Sequence, residues 1–151
     1  MECGTGETNT KRMNNESLKQ RTRKFALDAI KLVKKLPRNM VNEVLGKQLL
    51  RSGTSVAANY RSAARAKSAA DFIAKMGILE EEADESVLWA DLLEASPRIT
   101  FTEARPIMKE AGELNAIAVA SIRTAHQNTS TPRPPLRSPV PRSALRTPRS
   151  L

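Results

Sequence analysis

The sequence predicts an all-α fold, an antiparallel up-down four-helix bundle. Three observations carry that expectation. Apolar residues recur at steps of three and four in four separate stretches, the mark of amphipathic helices. Aromatic residues make up only 3% of the 151 residues (Phe25, Tyr60, Phe72, Trp89 and Phe101), so the core must be aliphatic and rich in Ala. Strands want β-branched and aromatic side chains, which disfavours a sandwich. Short breaks separate the four stretches, and short connections between helices make antiparallel neighbours.

The first helix is expected over about 17–36. Ser17-Leu-Lys-Gln20 has the form of a capping box. Leu18, Phe25, Ala29, Leu32 or Val33, and Leu36 then make the inward stripe, and Pro37 ends the helix. The second is expected over about 40–66 with Asn39 as N-cap. Its stripe is Leu45, Leu49, Ser52, Val56, Tyr60 and Ala63. Gly46 and Gly53 interrupt it, each costing about 1 kcal/mol relative to Ala in a helix interior. Close approach of another helix would offset that cost, so the small side of this helix reads as a packing face.

Ser68-Ala-Ala-Asp71 is a second capping box and opens the third helix, about 69–95. Phe72, Met76, Leu79, Ala83, Ser86, Ala90 and Leu93 follow at heptad spacing, a bundle seam. Ser96-Pro97 closes it. Thr102 is the expected cap of a fourth helix, about 103–126, with Pro106 in its first turn, where N–H groups have no partner anyway. Ile107, Ala111, Leu114, Ala118, Ile122 and Ala125 form its stripe. Residues 1–16 lack periodicity and read as a disordered leader, within which Met13 offers an alternative start. Residues 127–151 hold six Pro and five Arg with no acid, and read as a disordered basic tail. In that tail LRSP (136–139) is echoed by LRTP (145–148), which reads first as compositional bias, with a polyanion-binding arm or a Pro-rich ligand as the functional readings.

Charge is divided along the chain. The net is +9, but Lys11 to Lys67 holds fifteen Lys/Arg against three acids, whereas Asp71 to Glu113 holds eleven acids against four cations. A one-sided cationic surface attracts phosphate. It can equally meet the acidic segment of a second subunit. Lys19, Arg23, Lys24, Arg51, Arg61, Arg65 and Lys67 are the candidate phosphate contacts, weighed against a merely solvated basic face. The tail adds Arg133, Arg137, Arg142, Arg146 and Arg149. With so few aromatics, base stacking is a poor basis for recognition. Trp89 and Tyr60 read as core or subunit-contact residues.

The remaining chemistry is sparse. Cys3 is the single cysteine, so no disulfide framework exists and a reducing compartment is expected. No apolar h-region or spanning run is present, so the expected location is the cytoplasm, away from membranes. Glu80, Glu81, Glu82, Asp84 and Glu85, with Glu110 and Glu113, raise the question of a carboxylate metal site. The single His126 supplies no Glu-x-x-His, and solvated or Arg-paired acids are the better reading. Arg61 or Arg65 could supply those pairs. No phosphate loop, Ser/His/Asp set or Cys/His pair is present. The expectation is a non-enzyme without cofactor.

The runs LKQRTRKFALDAIKLVKKLP (18–37), GKQLLRSGTSVAANYRSAARAKSAADFIAKM (46–76) and EEADESVLWADLLEAS (81–96) resemble one family. They are similar to the 23S rRNA intervening-sequence proteins, also labelled S23, over about residues 17–125. The resemblance implies an up-down four-helix bundle that assembles as a ring-shaped homopentamer. It implies kinship with accessory proteins of diversity-generating retroelements, which pair with a reverse transcriptase and bind nucleic acid. It also implies a structural part for Arg61 and Glu82, and supplies no catalytic residues. The combined expectation is a non-catalytic homo-oligomer that binds RNA or other nucleic acid electrostatically. The alternative is a protein adaptor without RNA affinity.

Overall fold

A computed structural model describes residues 6–95 and 101–130 of the chain. These form four helices: α1 (Gly6–Lys35), α2 (Met40–Ala63), α3 (Ala69–Glu94) and α4 (Phe101–Ser130). The expected all-α bundle is what forms, and each helix packs on its chain neighbour, with α1 returning to α4. Cross-helix contacts fix the directions. Gly46 approaches Val33 and Leu36, Gly53 approaches Ala29 and Phe25, and Tyr60 reaches Asn15. Numbers rise along α2 as they fall along α1, so the two are antiparallel. Ser52–Ser86 and Arg51–Glu82 join α2 to α3 well inside both helices, and the five-residue connection 64–68 then makes the two antiparallel. Asn115 on the Glu80 carbonyl sets α3 against α4, and Lys35–Glu103 with Arg21–Glu113 sets α1 against α4.

The core follows the apolar periodicity. Phe25, Ala29 and Leu32 of α1, and Leu49, Val56, Tyr60 and Ala63 of α2 are buried. So are Met76, Leu79, Ala83, Ala90 and Leu93 of α3, and Ile107, Ala111, Leu114 and Ala118 of α4. Leu18, Val33, Leu36, Leu45, Phe72 and Ile122 pack at its margin. The glycines do sit at close approaches. A Cβ on Gly53 would meet the Ala29 Cβ at 3.0 Å, and one on Gly46 would meet Leu36 Cδ1 at 2.9 Å.

The buried polar residues Thr22, Asn42, Ser52 and Ser86 each have partners inside the bundle. The Ser52 and Ser86 hydroxyls bond each other at 2.8 Å, and Ser86 also donates to the Glu82 carbonyl. Thr22, buried although polar, bonds the Leu18 and Lys19 carbonyls of its own helix. Asn42 donates from its backbone to the Asn39 cap and from its amide to the Pro37 carbonyl, tying the α1–α2 turn.

Four boundaries differ from expectation. α1 begins at Gly6, so residues 6–16 of the leader continue the helix and Ser17 lies inside it rather than capping it. The Gln20 amide therefore bonds Glu16, one turn back, and Lys19 pairs with the same carboxylate. α2 closes at Ala63 because the Arg65 and Ala66 N–H groups turn to acceptors three residues back. α4 begins at Phe101, which places Thr102 inside the helix and Pro106 beyond its first turn. Lacking an N–H, Pro106 leaves one rung of the ladder unmade. α4 also continues to Ser130, past the expected 126. The Ser96-Pro97 stop and residues 131–151 lie outside the described residues, as do residues 1–5.

The other two caps form as expected. The Asn39 side chain accepts from the Asn42 N–H. Ser68 accepts from the Asp71 N–H, and Asp71 in turn accepts from the Lys67 N–H, one residue before the usual capping-box position.

Candidate nucleic-acid interface

The charged side chains sort into stapled and unstapled groups. Arg21 on α1 grips two carboxylates of α4. Its Nε meets Glu110 Oε1 at 2.5 Å, its Nη2 meets Glu110 Oε2 at 3.0 Å, and the same nitrogen also reaches Glu113. Arg51 on α2 does the same to α3: Nη1 lies 3.0 Å from both Glu82 oxygens, and Nη2 bonds Glu85. Both clusters use carboxylates three residues apart, which share one helix face. The Arg21–Glu110 pair has the forked, two-bond guanidinium–carboxylate geometry, whereas one Arg51 nitrogen is shared between both Glu82 oxygens. The hydrogen bond to Glu110 and the charges of Glu110 and Glu113 raise the Arg21 pKa further above its ordinary value. Glu82 and then Glu85 do the same for Arg51.

This pairing redistributes the candidate phosphate contacts. Arg51 is committed to Glu82 and Glu85. Lys24 lies 2.6 Å from Asp28, which raises the Lys24 pKa, and Lys19 lies 3.8 Å from Glu16. Arg23, Arg61, Arg65 and Lys67 are exposed, with no carboxylate in ion-pair range among the described residues. Lys34, Arg38 and Lys47 share that condition and were missing from the sequence-based set. Helical spacing already places Lys34 on the same outer side of α1 as Arg23, about three turns on. Lys109 and Arg123 on α4 share the condition too, so seven of nine such cations belong to the α1–α2 hairpin or its flanking turns. The tail arginines Arg133, Arg137, Arg142, Arg146 and Arg149 lie outside the described residues.

The acids divide in the same way. Glu82, Glu85, Glu110 and Glu113 are taken by arginines, whereas Glu81, Asp84 and Asp91 stand exposed on α3 without a cation in range among the described residues. Glu82 is thus held by Arg51, not by Arg61 or Arg65. Among the described residues, no three His, Cys, Asp or Glu side chains converge on a point. The carboxylate clusters each enclose a guanidinium instead, which fills the place a cation would take.

The aromatic candidates sit as follows. Tyr60 is buried and donates from its hydroxyl to the Asn15 carbonyl at 3.2 Å, so it ties α2 to the first half of α1. Burial, with the Glu16 charge, raises its pKa above the ordinary value. Trp89 packs at the core margin, and its Nε1 is buried without a hydrogen-bond partner. Beside it on α3, Leu88 and Leu92 are exposed. Met40, Val41 and Val44 are exposed at the adjoining end of α2.

Three recesses stand out among the described residues. The largest, about 1150 Å³, opens between the first half of α1 and the last turns of α4, floored by Tyr60, Phe72 and Met76. A second lies lower on the same α1–α4 seam, between Phe25 and Pro106. A third flanks the α1–α2 turn near Asn42. The α1–α4 seam is the thinnest helix contact, which is why two of the three lie along it. No helix among the described residues is long and apolar enough to cross a membrane.

These features define a charge-polarised helical bundle whose cationic hairpin is open to solvent. The chain belongs to the family of 23S rRNA-intervening sequence proteins, whose model matches residues 14–120. It is also similar to a crystal structure from Bacteroides thetaiotaomicron, described as a protein of unknown function from the S23 ribosomal protein family. The two are 36% identical, the match covers 72% of this chain and 97% of that one, and the TM-score is 0.63. A search of curated proteins finds no match.

Proposed function

We propose that the chain is a non-catalytic, cytoplasmic homo-oligomer that binds RNA or other nucleic acid electrostatically, with little sequence preference. The observation that carries this reading is the set of exposed cations on the α1–α2 hairpin and its flanking turns with no carboxylate in range among the described residues: Arg23, Lys34, Arg38, Lys47, Arg61, Arg65 and Lys67. Cations already neutralised by a carboxylate release few counterions on meeting phosphate, whereas unpaired ones do so fully. The family's description, which refers to 23S rRNA intervening sequences, is in keeping with an RNA partner. A ring of five subunits is the proposed assembly, and it would repeat the cationic hairpin five times and sum weak contacts. Glu81, Asp84 and Asp91, which have no cation in range among the described residues, the exposed Leu88 and Leu92 and the buried Trp89 Nε1 support a subunit contact on α3.

A protein adaptor, for example an accessory subunit of a reverse transcriptase, is the second reading. The exposed Met40, Val41, Val44, Leu88 and Leu92 favour it, because such apolar surface serves protein contacts. Light-scattering mass on a sizing column, run with cellular RNA at low and high salt, separates the two. A five-subunit particle that takes up RNA at low salt and sheds it at high salt is the expected result. A particle that ignores RNA at every salt concentration moves the function to a protein partner.

A further inference from the structure

We propose that the large recess at the α1–α4 end of the bundle is a docking groove for the chain's own Pro-rich tail, with Pro134–Val140 as the docked segment. Among the described residues, none of the side chains lining the groove is charged. Its floor is Tyr60, Phe72 and Met76, and its α4 wall runs from Ile117 past Ala120 to Thr129. An uncharged groove with aromatic residues in its floor suits a polyproline segment. Prolines bring apolar surface, lack N–H groups that would need partners, and lose little entropy on docking. The tail supplies that chemistry directly in PPLRSPV, where Leu136 and Val140 add apolar anchors between arginines that can stay in water.

Position and length point to the same occupant. α4 ends at Ser130, next to the groove residue Thr129, so the tail leaves the helix at the groove mouth. From Ile117 to Thr129 the wall is about 18 Å long at the α-helical rise. Seven residues of polyproline helix span about 22 Å. Thr131, Pro132 and Arg133 are then available to reverse the chain before Pro134 enters. A tether this short holds the segment at an effective concentration in the millimolar range, so a weak contact is enough. The last part of the wall and the whole tail lie beyond the residues 14–120 matched to the family. Docking requires nothing of RNA binding and is read without it.

The test uses the full-length chain. Cys3, the single cysteine, is replaced by Ser, and a spin label is placed on the tail through Ser138→Cys. Methyl signals are then compared at the two ends of the bundle. The Ile117 and Met76 methyls are expected to lose intensity severalfold, while those of Ile107 and Leu32 keep theirs. Adding Leu136→Asp and Val140→Asp, in a segment outside the folded helices, should restore the lost intensity. Arg133→Ala and Arg137→Ala should not. Equal loss at both ends, or insensitivity to the Asp substitutions, overturns the proposal. So does the same loss in unlabelled-tail chains mixed with spin-labelled ones, since the groove would then hold the tail of a second copy.

Discussion

Gly53 is where a single atom decides how closely α1 and α2 approach. The missing Cβ would lie 3.0 Å from that of Ala29, with Phe25 Cε1 at 3.8 Å. Gly53→Ala gains about 1 kcal/mol of helix propensity and must push Ala29 aside by a few tenths of an ångström, so its net effect should be small. Gly53→Leu drives a branched side chain into a filled core and should cost about 2 kcal/mol or more. Urea unfolding of the two variants measures both, and a Leu variant as stable as the parent would disprove the packing account. Tyr60 decides a different property. Its folded pKa is raised, so the neutral phenol is favoured in the bundle. That contribution is fully present below the unfolded value of about 10 and is lost as pH rises through the folded value. Stability should therefore fall above pH 10 more steeply in the parent than in Tyr60→Phe. Urea midpoints measured from pH 8 to 11 on both proteins isolate the difference, since lysine titration is common to the two.

The inward stripes of α2 and α3 were legible, although α2 closes three residues before the expected 66, because those stripes include polar positions that periodicity still places inward. Ser52 and Ser86 were read as seam residues on spacing alone, and they meet across the core at 2.8 Å. Removing one hydroxyl leaves the other with a backbone acceptor, Leu49 for Ser52 and Glu82 for Ser86, so each single Ala variant should cost no more than about 1 kcal/mol. The Ser52→Ala, Ser86→Ala double variant should be no worse than the sum and closer to neutral, because no buried group is then stranded. A thermal-unfolding cycle over the four proteins tests this. α1 and α4 were read less well at their ends. The capping box at Ser17 and the cap at Thr102 are local signals, and each is outweighed by helix that continues through it. For α1, the Glu16 contacts to Lys19 and Gln20 and the Asn15–Tyr60 tie hold that earlier turn. Arg21 escaped the candidate set for a related reason. Sequence shows that a cation and an acid pair exist, but only the antiparallel register of α1 and α4 brings Arg21 onto Glu110 and Glu113. The same limit left the partner of Glu82 open between arginines until Arg51 was seen on it.

The whole molecule carries its excess charge as a segregated pattern, and the pattern decides which cations matter. Arg51 and Arg61 belong to the same helix and have the same formal charge. Arg51 faces two carboxylates, whereas Arg61 faces solvent. If RNA is bound by phosphate contact, the logarithm of the binding constant falls linearly with the logarithm of salt concentration, and the slope counts neutralised phosphates. Each phosphate contact removed should flatten that slope by roughly 0.7 to 0.9 per subunit engaged. Replacing Arg23, Arg61 and Arg65 by Ala together should therefore weaken binding at low salt and flatten the slope by about 2 for each subunit in contact. Arg51→Ala should leave the slope nearly unchanged, although it alters the net charge in the same direction, because its charge is already countered by Glu82 and Glu85. Fluorescence titrations of one RNA at several salt concentrations, with the mass of each particle checked, give both slopes. Equal flattening by Arg51→Ala and by a single Arg61→Ala would mean that binding follows net charge alone, and the hairpin would lose its claim to be the interface. A slope that responds to Arg23, Arg61 and Arg65 but not to Arg51 would locate the phosphate track on the outer side of α1 and α2, at cations with no carboxylate in range among the described residues.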